Sequence, residues 1–185
     1  MKCIVALLVC LNYGLAAFSQ SESLTVVIIR HGEKNEATGN LSCKGLHRAL
    51  LLPHVINAKF NRPGSLYVPT VGSGKITAHA RMLQTAGPLA VQDNLPINSK
   101  YVVADASELA QDVLKRTGVV MLVWEHENIP EIAAALGVKD KHLRWDDSDF
   151  DSIWVITYAS SKKGKLKADL RVDTEGLNPP EACNF

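Results

Sequence analysis

The hydrophobic pattern separates short continuous apolar runs from longer stretches with a helical period. Residues 24–29 and 119–124 are nearly unbroken apolar runs, too short for helices of their own. Each predicts a strand buried on both faces. Between them, Ser42 suits the cap of a helix through Gly45, Leu46, Ala49, Leu50 and Leu52. Pro53 is expected to kink or restart that helix before Val55 and Ile56 continue its apolar side. A break at 61–64 leads to a short second strand at 65–69, and 70–75 is a glycine-rich loop. Thr77 or a neighbour then caps a helix carrying Ala80, Leu83 and Ala86, bent at Gly87-Pro88. Residues 101–103 read as a short strand or extended chain, and 106–115 as a helix that Gly118 ends. A Pro-initiated helix is expected over 129–136, stopped at Gly137. Residues 139–151 form a charged loop containing Asp146, Asp147, Asp149 and Asp151. The segments 153–158 and 165–172 predict an antiparallel strand pair at the sheet's edge. Strands alternating with helices, without an internal repeat or second core, predict a single α/β domain. Its architecture is a three-layer α/β/α sandwich with a mostly parallel central sheet and an antiparallel edge strand.

The first 19 residues stand outside this pattern. Lys2 precedes an apolar run over 3–11, followed by small and apolar residues to Ala17-Phe18-Ser19. That predicts a secretory signal peptide at 1–19, cleaved after Ser19, and a domain at 20–185. A membrane anchor is the other reading, but 3–18 is interrupted by Asn12 and falls short of the roughly 20 apolar residues a span needs. Lipid attachment at Cys10 would place bulky Leu8 and Val9 before the cysteine. Cleavage leaves Cys43 and Cys183 of the four cysteines. Export and an even count predict a disulfide between them, with two unpaired thiols as the alternative. The expected location is secreted or periplasmic. Without Lys2, the 20 Lys+Arg fall to 19 against 19 Asp+Glu. Such balance gives no electrostatic case for nucleic acid or for a membrane surface after signal cleavage. The one basic run, Lys162, Lys163, Lys165 and Lys167 around Gly164, reads as a solvated hairpin turn. An anionic ligand must therefore be held by a local site, and the oligomeric state is left open.

Three segments set reactive groups past strand ends, where ligands gather in open α/β sheets. They are Arg30-His31-Gly32, the stretch 77–85 with His79 and Arg81, and Glu125-His126-Glu127-Asn128. The ordered set Arg30-His31-Gly32-Glu33-Lys34, Leu41-Ser42-x-x-Gly45-x-x-Arg48-Ala49, Arg81-x-x-Gln84-Thr85-Ala86 and His126 resembles the histidine phosphatase superfamily, the phosphoglycerate-mutase-like fold. The resemblance runs over residues 24–158. It implies a phosphomonoester hydrolase that acts on a small phosphorylated substrate through a phosphohistidine, with no metal and no cofactor. It makes His31 the nucleophile and Arg30, Arg81 and His126 the rest of the phosphate pocket. Physical chemistry agrees with these roles. Fixed cations stabilise charge on the equatorial oxygens of a transferring phosphoryl group. Arginine offers a planar fork and stays charged, and a neutral imidazole can attack phosphorus.

The proton donor is open at this level. The family's acid-phosphatase branch carries Asp after the second histidine, where this chain has Glu127. Glu127 is expected to protonate the leaving oxygen, or else to complement the start of the following helix. Glu125 and Glu33 are alternatives. His79 reads as a site residue or an exposed one, and Lys34 as a substrate contact or a solvated side chain. Solvated positions are expected for His47, His54 and His142. A non-catalytic phosphate-binding or sensor module of the same fold is the rival function. A metal hydrolase using His31, His79 and His126 fits no compact ligand spacing.

Overall fold

Strand β1 (Thr25–Arg30) is apolar on both faces because it lies inside a sheet with helices packed against each. Val27 and Ile29 point into one core with Leu52, Met82 and Leu89, while Val26 and Ile28 point into another with Leu109 and Ile132. The period-2 alternation of a strand thus feeds two cores from one run. A computed structural model describes residues 23–160 and 166–183, so the signal-peptide reading and the lysine turn lie outside the described residues.

After β1 come α1 (Cys43–Phe60), β2 (Ser65–Tyr67), α2 (Ala80–Gln92), β3 (Ile97–Asn98) and α3 (Ala106–Val113). Then follow β4 (Val119–Trp124), α4 (Ile129–Ala135), β5 (Ser152–Ser160) and β6 (Leu166–Thr174). The sheet order is β3-β2-β4-β1-β5-β6. The first four strands are parallel, and β5 and β6 run antiparallel at one edge. Helices α1 and α2 contribute to one core and α3 and α4 to the other, which is the expected three-layer sandwich. No helix among the described residues is long and apolar enough to cross a membrane.

Local detail differs from expectation at three points. Helix α1 continues through Pro53 instead of restarting. Ala49 and Leu52 before the proline and Ile56 and Phe60 after it are all buried, and that burial outweighs the lost backbone hydrogen bond. Helix α2 includes Gly87 and Pro88 within its span. Its N-cap is His79 and not Thr77, in a left-handed conformation (φ 57°) without a side-chain cap bond. The short strand after α2 falls at Ile97–Asn98, whereas Tyr101 lies in a bend outside any strand, its carbonyl accepting from the Thr70 amide. A two-residue strand has no alternation to read.

Cys43 and Cys183 form a disulfide, with Cα atoms 5.0 Å apart. It joins the first turn of α1 to the C-terminal tail across 140 residues. Closing so long a loop in the unfolded chain stabilises the fold by about 2–4 kcal/mol. The tail is further held by the Leu177 amide on Asp151 and by Lys44 against Glu181.

Candidate active site

Parallel pairing of β1 with β4 places Arg30 opposite Trp124, so the chain leaves the sheet at two adjacent points. His31 and Gly32 follow one strand, and Glu125, His126 and Glu127 follow its neighbour about 4.8 Å away. This register brings two segments far apart in sequence to one place. The left-handed turn at His79 starts α2 so that Arg81, in its first turn, reaches back to the end of β1.

His31 is almost wholly buried. Its Nδ1 lies 2.7 Å from the Gly32 carbonyl oxygen, and its Nε2 lies 2.9 Å from Arg81 Nε. A carbonyl only accepts and a guanidinium only donates. Nδ1 therefore carries the proton and Nε2 the lone pair. Burial lowers the imidazole pKa to about 3, helped by Arg81 and Arg30 and opposed by the Gly32 carbonyl. His126 is near enough to add to that repulsion. The ring is thus neutral, with its free lone pair directed at Arg81.

Arg81 also donates from Nη2 to Glu125 Oε1 at 2.7 Å, and the same oxygen lies 3.0 Å from His79 Nδ1. Glu125 is thereby an anchor for the arginine. Arg30 is buried and stacked 3.8 Å from the centroid of the Phe150 ring. Its Nη1 donates to the carbonyls of Asp147 (2.6 Å) and Asp149 (3.3 Å). Burial lowers the Arg30 pKa, while Asp147 and Asp149 oppose that shift. Arg30 Nε is buried with no hydrogen-bond partner among the described residues. An unmet buried donor costs about 1–3 kcal/mol, and an anionic oxygen would satisfy it. His126 Nε2 lies 3.2 Å from Asp147 Oδ1, so it is the protonated nitrogen facing that carboxylate. Arg30, His126, exposed Glu127, Lys34, Asp147 and Phe150 line a cleft of about 450 Å³. Lys34 is ion-paired with Glu36 at its rim.

The remaining motif residues hold this arrangement in shape. The Gly32 amide donates to Thr85 Oγ1, which donates on to the Arg81 carbonyl, so one hydroxyl fastens the end of β1 to α2. Gln84 accepts from the Leu41 amide and donates to Asn40, fixing the loop before α1. Ser42 caps the Gly45 amide as expected. At Gly45 the backbone passes Glu33 so closely that an added Cβ would sit 2.2 Å from the Glu33 carbonyl oxygen.

Buried Arg48 grips both oxygens of Glu33, at 2.8 and 2.9 Å, and reaches Glu175 at 2.6 Å. Burial pushes the Glu33 carboxyl up, but the Arg48 fork outweighs it and leaves Glu33 below the ordinary carboxylate range. Glu175 is the more deeply buried partner, and desolvation pushes it up to about 8 against the pull of Arg48. Glu33 and Glu125 thus both sit in ion pairs, whereas Glu127 is exposed at the cleft.

Arg30, His31, Arg81 and His126 are therefore gathered at the ends of β1 and β4, with Glu127 beside them. Among the described residues no three His, Cys, Asp or Glu side chains are grouped as a metal would require, the trio His31, His79 and His126 included. Sequence reasoning missed the cover over Arg30. The carbonyls of Asp147 and Asp149 have no sequence signature, and Phe150 stands among aspartates in a segment read only as a charged loop. It also missed Arg48 with Glu175, although an arginine on the apolar side of α1 was a signal for a buried partner.

Neither family models nor curated protein sequences match the chain. Solved structures do match in fold. A protein histidine phosphatase SixA complexed with tungstate aligns with TM-score 0.58 at 13% identity, over 82% of this chain and 97% of that one. SixA from Agrobacterium tumefaciens gives 0.56 at 15% identity, over 84% and 97%. A mycobacterial glucosyl-3-phosphoglycerate phosphatase with inorganic phosphate gives 0.52 at 13% identity, over 80% and 95%. The chain thus has the phosphoglycerate-mutase-like fold that the motifs implied.

Proposed function

We propose that this chain is a phosphomonoester hydrolase working through a phosphohistidine on His31, without a metal. The observation that carries the reading is the single tautomer of a neutral, buried imidazole whose Nε2 lone pair is held against a guanidinium. Shared fold with phosphatases of known structure supports the same assignment.

Substrate phosphate enters beside Arg81, which transfers its Nε–H bond from the imidazole to a phosphate oxygen and so frees the lone pair. Arg81 and Arg30 then face the charge that develops on the equatorial oxygens, and His126 donates Nε2–H to another. Nε2 attacks phosphorus, the ester P–O bond breaks, and the leaving oxygen takes a proton from Glu127. Water next attacks the phosphohistidine, Glu127 takes its proton, and the P–N electron pair returns to Nε2. Glu125 and Glu33 do not serve as donor in this scheme, because each carboxylate is held by an arginine.

Glu127→Gln is expected to slow hydrolysis of alkyl phosphates by about a hundredfold. A p-nitrophenyl ester, whose leaving group needs no proton, should slow much less in the first step. Unchanged rates on both would remove Glu127 from the mechanism. The reading as a whole is tested by a phosphate-release screen across many monoesters between about pH 4 and 8. Binding of phosphate or vanadate with no hydrolysis of any ester would favour the non-catalytic module. Residues 1–19 are read as an export signal, and the Cys43–Cys183 bond is compatible with an oxidising compartment.

A further inference from the structure

Among the described residues strand β6 ends the sheet and pairs only with β5, leaving nine residues of continuous edge. Natural edges are usually blunted by proline, bulges, inward charges or charged side chains such as lysine along the strand. This one has neither proline nor glycine. Its side chains alternate cleanly. Lys167, Asp169, Arg171 and Asp173 share the face toward α1, where Lys59 meets Asp173 at 2.9 Å. Ala168, Leu170 and Val172 share the other face, and Ala168 and Leu170 pack against the α3–α4 core. Val172 is 57% exposed. Lys167 and Asp169 hold no ion pair among the described residues, and Asp173 is shared by Lys59 and Arg171.

We propose that β6 pairs antiparallel with β6 of a second copy of this chain, about a twofold axis at Leu170. A twofold axis perpendicular to a sheet keeps each face on its own side, so only residues of the same parity can lie opposite one another. Centred on Leu170, Lys167 faces the second copy's Asp173, Asp169 faces its Arg171, and both pairs recur by symmetry. On the other face Ala168 meets the second copy's Val172, and Leu170 meets its own mate. Moving the centre to Asp169 sets Lys167 against Arg171 and Asp169 against itself. Moving it to Arg171 sets Asp169 against Asp173 and Arg171 against itself. Opposite charges directly across a ladder stabilise it and like charges destabilise it. Centres at Ala168 or Val172 also set opposite charges across the ladder, but each leaves a shorter ladder with one such pair and its symmetry mate. Leu170 therefore gives the longest register in which the chain complements itself. A single strand-to-strand joint buries less than the roughly 1,600 Å² of a standard interface, so the dimer is expected at micromolar concentrations. The edge lies across β5 from the strand ends that carry His31 and His126, which leaves the cleft open in the dimer.

Sedimentation equilibrium of the purified protein from about 1 to 500 µM tests this. A monomer–dimer equilibrium is expected. Asp169→Lys should weaken association at least about tenfold, since both symmetric pairs become like-charged. Asp169→Lys combined with Arg171→Asp should restore it. Circular dichroism and phosphate release of both variants are expected to match the parent protein. A protein that stays monomeric throughout overturns the proposal. So does a dimer that Asp169→Lys leaves unchanged, or one that the paired swap fails to restore.

Discussion

His31→Ala is expected to lower turnover of every accepted phosphomonoester by at least about four orders of magnitude, an effect typical of a lost nucleophile. The reason lies in how completely the surroundings specify the ring. The Gly32 carbonyl fixes the proton on Nδ1, Arg81 fixes the lone pair on Nε2, and burial keeps the imidazole neutral down to about pH 3. The sign of that shift matters for the pH profile. A histidine pKa lowered on folding means that the neutral form is favoured in the native state. Stability from this group is therefore present above its unfolded value near 6.5 and is lost as pH falls toward 3. An acid limb of activity above about pH 4 must then come from another group, such as the substrate phosphate. Binding of inorganic phosphate by His31→Ala, measured by calorimetry, should survive within about tenfold, because Arg30, Arg81 and His126 remain. Loss of binding together with loss of turnover would point to a collapsed site instead of a missing nucleophile.

Arg81→Ala is expected to cost at least about a thousandfold in kcat, comparable to the loss of other arginines that stabilise a transferring phosphoryl group. Two effects add here. The guanidinium charge disappears from the transition state, and His31 Nε2 loses the donor that orients its ring. Arg81→Lys should recover little of the loss. Lysine has no planar fork, and it cannot reach both His31 Nε2 and Glu125 Oε1 as Arg81 does at 2.9 and 2.7 Å. A lysine variant with near-normal kcat would show that charge alone suffices and that the geometry is incidental. Stability of both variants is expected to stay close to the parent, since Arg81 is partly exposed and sits outside the two cores.

The strands that carry the site were legible because β1 and β4 are buried on both faces and so read as apolar runs bounded by polar residues. The reactive side chains were legible for a related reason: each follows directly on such a run or begins a helix. Their convergence was only implied. It depends on the parallel register that sets Arg30 opposite Trp124, and pairing between strands almost a hundred residues apart leaves no local trace. The support of the site was harder still. Arg30 is gripped by carbonyl oxygens of Asp147 and Asp149, where any residue type offers the same acceptor. Arg48 meets Glu175 across 127 residues. Pro53 misled because local propensity argues for a break, while burial on both sides of it keeps α1 whole.

The central claim is that a phosphoryl group rests on His31 during turnover, and rapid quenching tests it most directly. Protein mixed with a phosphomonoester labelled in its phosphoryl group, stopped within one turnover and digested at alkaline pH, should yield label on the peptide containing Arg30-His31-Gly32. That label should be stable in alkali, lost in acid, placed on Nε2 and absent from His31→Ala. Steady hydrolysis with no label on that peptide at any quench time, while Glu127→Gln and Arg81→Ala still slow the reaction, would contradict the account.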